Sequence, residues 1–140
     1  MGKLILIVFL FLFSNNSIAD EAPIPVFASK PMKYSSTNWI KNSAGQKVWV
    51  KDEMLAGDFN NEKMKFWVYI TGPNFHICSI SGEAVKLSKS VYKFKENSCN
   101  LLIKFSKNRV VLSDHGNTCH VNYCGNNSFF DKAELLKTKN

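Results

Sequence analysis

Much that would point directly to an activity is missing from this sequence. It contains no block of five or six like charges, so it lacks the footprint of a nucleic-acid-binding tail. No internal repeat or low-complexity tract occurs, which excludes solenoid architectures. The cysteines never fall into the C-x-x-C spacing of compact zinc sites. No serine stands in a G-x-S-x-G setting, so a nucleophile elbow is excluded. The longest apolar run, residues 4–13, is shorter than the roughly 20 residues that span a bilayer.

The first residues, MGKLILIVFLFLFSNNSIAD, offer one cation, Lys3, then the apolar run, then a polar stretch ending in Ser17, Ile18 and Ala19. That plan predicts a secretory signal peptide over residues 1–19, cut between Ala19 and Asp20. The expected mature protein is periplasmic or secreted, with no transmembrane segment. No cysteine lies near the cut to carry a lipid anchor. Without residues 1–19, whose one charge is Lys3, 17 cations face 11 anions, a net charge of +6. Both the diffuse charge and the export argue against a nucleic-acid partner, while the positive field favours acidic proteins or anionic envelope polymers.

All four cysteines, Cys78, Cys99, Cys119 and Cys124, fall in the mature part. In an exported chain an even number reads as two disulfides. Three pairings are open. Cys78 with Cys99 would close a loop of about 20 residues, contributing roughly 3 kcal/mol, whereas Cys119 with Cys124 would mainly fix a turn. A crossed arrangement, with Cys124 reaching back to Cys78 or Cys99, would staple distant strands.

Residues 20–45 hold Pro23, Pro25 and Pro31 with a run of Ser, Thr and Asn, which predicts an extended arm. Within it, Thr37 to Asn42 is a candidate for one helical turn. From residue 46 to 140 the pattern predicts a single β domain. Apolar residues alternate in short runs, clearest in CNLLIKFS, where Cys99, Leu101, Ile103 and Phe105 share one face. Turn formers separate these runs, at Gly72-Pro73-Asn74, Ser81-Gly82, Glu96-Asn97-Ser98, Lys107-Asn108 and His115-Gly116-Asn117. The expected fold is all-β, an antiparallel meander rolled into a small disulfide-braced barrel or sandwich, since a flat sheet would leave its apolar face and two edges in water. The tail FFDKAELLKTKN fits either a last strand or a short helix.

The stretch LSDHGNTCHVNYC crowds Asp114, His115, Cys119, His120 and Cys124 together. As a zinc site it has the wrong spacing, and oxidation would claim the thiols first. As a catalytic pair, Asp114 and His115 are strand neighbours that point to opposite faces. Asp114, Gly116 and Asn117 read instead as turn chemistry, an Asx cap followed by residues that tolerate positive φ. His76, alternating with Cys78, reads as a hydrogen-bonded core residue. Trp49 and Trp67 become candidate partner anchors if they lie on an outer face.

The run His76-x-Cys78, Gly82-x-Ala84, Tyr92-x-Phe94, Cys99-x-Leu101-x-Ile103-x-Phe105, Val111, Asp114, Cys119 and Cys124-Gly125 with Ser128-Phe129 resembles small exported bacterial proteins of the lysozyme-inhibitor-like and effector-immunity type, over residues 74–130. The resemblance implies a binding protein without enzymatic activity, metal or cofactor, whose partner is a peptidoglycan-degrading hydrolase occluded by rigid loops. The partner-binding residues expected are Asp114, His115 and Asn117, with His115 as donor to a catalytic acid, and then Gly72 and Asn74. The alternative expectation is an envelope-structural or adhesive module whose lysines hold anionic glycans or lipid head groups.

Overall fold

The structure, a computed structural model, describes residues 19–139. Apart from Ala19, the expected signal segment lies outside the described residues. Eight strands form one closed antiparallel barrel in which each bonds its sequence neighbours and the last returns to the first. They are β1 (Met32–Lys41), β2 (Lys47–Gly57), β3 (Lys63–Thr71), β4 (Ile77–Ser88), β5 (Val91–Glu96), β6 (Cys99–Phe105), β7 (Arg109–Ser113) and β8 (Glu134–Lys137). The only helical pieces among the described residues are a 3-10 turn at Pro73–Phe75 and α1 at His120–Tyr123.

The barrel is what the alternation dictates. Along β3, Met64, Phe66, Val68 and Ile70 point inward. Leu101 and Ile103 of β6 lie opposite Phe94 and Tyr92 of β5, and all four are buried. A barrel of this strand number has an interior that side chains just fill. Gly82 of β4 makes room for one of the largest: a Cβ there would lie 2.9 Å from the Phe94 ring, which packs edge-on against Phe66.

Two expectations are corrected at the N-terminal side. The barrel begins at Met32 rather than residue 46, and Thr37 to Asn42 belongs to β1 and its turn rather than to a helical turn. The inward residues Tyr34, Ser36, Asn38 and Ile40 alternate in polarity too weakly to announce a strand, since only Tyr34 and Ile40 are buried. The tail resolves as strand: β8 fits between β1 and β7 and closes the sheet.

Residues 19–31 do run as an extended arm, laid along the outer face of β3. Trp67 points outward, yet is only 5% exposed, because the arm covers it and the carbonyl of Ala22 accepts its indole N–H at 2.8 Å. Farther along, Lys65 Nζ donates to the Val26 carbonyl at 3.0 Å, and Ala28 N–H donates to Asp58 at 2.9 Å.

The crossed cysteine arrangement is the one present. Cys78 pairs with Cys124 and Cys99 with Cys119, across 46 and 20 residues of sequence. The two bonds flank α1 and tie the long β7–β8 connection to the first residues of β4 and β6. Tyr123 adds a third tie, donating its hydroxyl to Glu96 at the end of β5. Burial, then the adjoining Glu96 carboxylate, push the Tyr123 phenol up to about 12. Replacing Cys99 and Cys119 together by alanine should lower the unfolding free energy by about 3 kcal/mol, and the Cys78/Cys124 pair by about 4 kcal/mol. Denaturant midpoints measure this; a loss below about 1 kcal/mol for both would show that the connection is held without them.

Candidate functional site

An up-and-down barrel sorts its connections by end. The β1–β2, β3–β4, β5–β6 and β7–β8 connections lie at one end, so both groups of expected contact residues, Gly72 to Asn74 and Asp114 to Asn117, lie there. The most prominent feature of that end is one the sequence reading passed over.

Strands β1 and β2 pair from Met32 with Ala56 as far as Lys41 with Lys47. However, β2 pairs with β3 only from Glu53 to Gly57, and β1 meets β8 only at Tyr34 and Ser35. Beyond Asp52, therefore, residues 37–41 and 47–51 continue as a two-stranded ribbon with no third strand beside it, about 16 Å long at strand rise. Its tip is firmly built. The Asn42 side-chain oxygen accepts from Ala44 N–H at 3.0 Å and Gln46 N–H at 2.9 Å, and Gly45 supplies the positive φ of 75° that closes the turn.

A lone ribbon is marginal in water, and this one is braced on both faces. Outward, Trp39 and Trp49 are a direct cross-strand pair with ring centroids 3.6 Å apart. They remain 52% and 55% exposed. Lys51 and Lys47 share that face, opposite Thr37 and Lys41. Inward, Ile40 is buried and lines a groove of about 490 Å³ with Ile70, Gly72, Pro73 and Phe129.

Two acidic residues secure the ribbon's base. Asp52 faces the interior, where its Oδ2 accepts from Asn38 Nδ2 at 2.6 Å and its Oδ1 from Thr71 N–H at 2.8 Å. Burial raises its carboxyl above the usual range, and hydrogen bonds from Thr71, Asn38 and Ser36 only partly offset that. Glu53 faces outward, with Lys33 and Lys51 at 2.8 and 2.7 Å from its Oε1. Burial pushes Glu53 up, but the two ammonium groups outweigh it and leave the carboxyl below its ordinary value.

The residues singled out from sequence are placed as follows. Asp114 is 1% exposed. It accepts from Thr118 N–H and Oγ1, both at 2.8 Å, and from Cys119 N–H at 3.1 Å. Its role is therefore the cap that shapes the connection, as the Asx reading has it, and its carboxylate is not presented at the surface. Gly116 and Asn117 take the positive φ of 75° and 52° expected of them. His115 and Asn117 are exposed. His115 borders a shallow depression with Lys93, Asn100 and Leu102, which shares no lining residue with the ribbon groove. Gly72 sits tightly against Ser128, with no space for a side chain. Asn74 is exposed on the 3-10 turn beside exposed Phe75. His76 is half-buried rather than core, and its carbonyl accepts from Ser128 Oγ at 2.6 Å. His120 stacks on Phe129 and its Nδ1 meets the Ser128 carbonyl at 3.0 Å, so that nitrogen carries the proton. With all four cysteines in disulfides, none offers a thiolate to a metal or a substrate. Among the described residues no helix is long and apolar enough to cross a membrane.

Two outcomes test this description. Asp114→Ala strands the buried Cys119 N–H and the part-buried Thr118 N–H and should cost about 3 kcal/mol of stability, whereas His115→Ala should stay within about 0.5 kcal/mol of the parent. Thermal or urea unfolding compares them. The raised carboxyl of Asp52 carries a definite sign: the folded state takes up its proton more readily than the unfolded chain. Its cost is thus fully present above the folded pKa, and it is relieved as the pH falls through that value. Asp52→Asn should accordingly gain stability relative to the parent near about pH 7, and that gain should shrink towards about pH 3. A difference that is flat with pH would contradict it.

No family model matches the chain, and neither the curated proteins nor the solved structures yield a match.

Proposed function

We propose that this is a non-enzymatic periplasmic binding protein that occludes a peptidoglycan-degrading hydrolase by inserting its ribbon into the enzyme's cleft. The observation that carries the reading is the ribbon itself, with its hydrogen-bonded tip, displaying a close cross-strand indole pair and three lysines, Lys41, Lys47 and Lys51. Glycan-cleaving enzymes hold their substrate in an elongated groove around a pair of carboxylates. A narrow projection fits such a groove, with indoles in the sugar subsites and ammonium groups towards the acids. The turn at Asn42 to Gln46 is already ordered, so little conformational entropy is lost on insertion. The net charge of +6 on residues 20–140 favours an acidic or neutral enzyme and speeds the encounter. Two disulfides suit the oxidising compartment that such a role requires. This reading moves the main contact from the Asp114 turn to the ribbon and keeps His115, Asn117 and Asn74 as neighbours at the same end.

The second reading, an envelope module binding anionic glycans or lipid head groups, is supported by the same lysines. A narrow two-stranded ribbon offers a free polymer little contact area, which favours the enzyme cleft.

The test is inhibition of cell-wall lysis across a panel of peptidoglycan hydrolases. The parent should inhibit at least one of them at sub-micromolar concentration, and Trp39→Ala with Trp49→Ala should weaken that inhibition by about a hundredfold. Loss of the far-ultraviolet couplet of the paired indoles, with the unfolding transition retained, certifies the variant as folded. An unchanged inhibitor after both substitutions would remove the ribbon from the mechanism. Failure across the panel, with retention on an anionic polymer that is lost near about 0.5 M salt, would transfer the assignment to the glycan reading.

A further inference from the structure

The opposite end of the barrel, where the β2–β3, β4–β5 and β6–β7 turns meet the first residues of β1, holds a second cavity of about 290 Å³. Its wall is aromatic. Phe59, Tyr92 and Phe105 contact one another edge-to-face, with centroids 5.8 to 5.9 Å apart, and Tyr34 packs against Phe105 at 5.7 Å. Its rim is cationic. Lys89, Lys107 and Lys137 border it, no acidic side chain lines it, and among the described residues none of the three is paired with a carboxylate.

Tyr34 supplies an independent indication of a ligand. It is only 3% exposed, and buried tyrosine hydroxyls normally find a good partner. Here the only hydrogen-bond partner of the hydroxyl among the described residues is the Met32 thioether, 3.8 Å away and a weak acceptor. Tyr34 also lies directly opposite Lys137 in the β1–β8 pairing, so the two side chains leave the same face of the sheet, and both line the cavity.

We propose that this cavity binds a small amphiphilic anion: one mono- or bicyclic aromatic group or a short acyl chain seated on Phe59, Tyr92 and Phe105, with a carboxylate held by Tyr34 and the lysine rim. The volume admits one such body and excludes a two-chain lipid. The site is separate from the ribbon and does not depend on the function proposed for it.

Titration of the protein with 1-naphthoate and with octanoate, followed by NMR of the Met32 methyl and of the Tyr34, Tyr92 and Phe105 rings, tests the assignment. Saturable shifts at these residues and the others lining the cavity, and not at the ribbon, are expected, with a dissociation constant below about 1 mM for at least one probe. The tighter of the two identifies an aromatic or an acyl ligand class. The neutral counterparts 1-naphthalenemethanol and octanol should bind about tenfold more weakly. Phe59→Ala, at an exposed turn, and the pair Lys107→Glu with Lys137→Glu should each weaken the better anion by about tenfold. Trp39→Ala should leave it unchanged. Absence of saturable shifts with both anions, equal affinity for the neutral analogues, or insensitivity to the Phe59 and lysine substitutions would overturn the proposal.

Discussion

The constraint on which the remaining structure depends is the double anchoring of the β7–β8 connection. From Asp114 to Ala133 the chain has almost no regular structure, and its end must nevertheless deliver β8 into register between β7 and β1. β8 is short, with Leu135 its only buried residue, so it could not hold the closure by its own burial. Cys119 and Cys124 fix the connection to β6 and β4 on either side of α1, and Asp114 folds the segment ahead of the first bond. The anchored segment then buries Phe130 in the core, places Ser128 against Gly72 and His76, and sets Phe129 as one wall of the groove. Barrel closure and site geometry therefore share one covalent cause.

A second constraint is the unequal length of the strands. β1 and β2 are ten and eleven residues long, while their neighbours β8 and β3 engage them over only part of that length. The surplus must either curl back or project. Projection exposes backbone edges that ordinarily invite aggregation, and lysines at 41, 47 and 51 blunt that hazard. The cross-strand indoles hold the strands together where no third strand can. Features that keep the ribbon soluble and those that suit it to an acidic cleft are the same residues.

The parts of this fold legible in the sequence are those where one face is dry and the other wet. β5 and β6 alternate cleanly because both lie within the closed wall, and Asn97, Gly116 and Asn117 mark turns because each adopts positive φ. β1 is hidden by Ser35-Ser36-Thr37-Asn38, whose polarity is real: here the strand passes from the barrel wall into the ribbon, and its inward Ser36 and Asn38 hydrogen-bond Asp52 instead of filling the apolar core. A signal for the ribbon was nonetheless present. Trp39-x-Lys41 and Lys47-x-Trp49 are mirror images about the Asn42 to Gln46 turn, but this symmetry has meaning only once both flanks are recognised as strands. Asp114 could be read as a turn former because its partners lie within five residues. The aromatic cavity could not be read at all, since its lining extends from Met32 to Lys137 and only closure of the barrel assembles it.

Asp52 and Glu53 show how adjacent residues can oppose each other in acid while serving one mechanical purpose. They point to opposite faces at the level where the ribbon leaves the barrel; the inner one joins β1 to the end of β3, and the outer one gathers Lys33 and Lys51. The folded-state carboxyl of Asp52 is raised, so acidification relieves a cost. That of Glu53 is lowered, so its contribution is present above the unfolded value and is lost as the pH falls through the folded one. The inner clamp also survives protonation in part, because a carboxylic acid still offers an acceptor to Thr71 N–H. The outer clamp loses its charge and with it the hold on two lysines. In acid the ribbon base should therefore loosen first on its solvent face, beside Trp49, while the inner attachment to β3 persists.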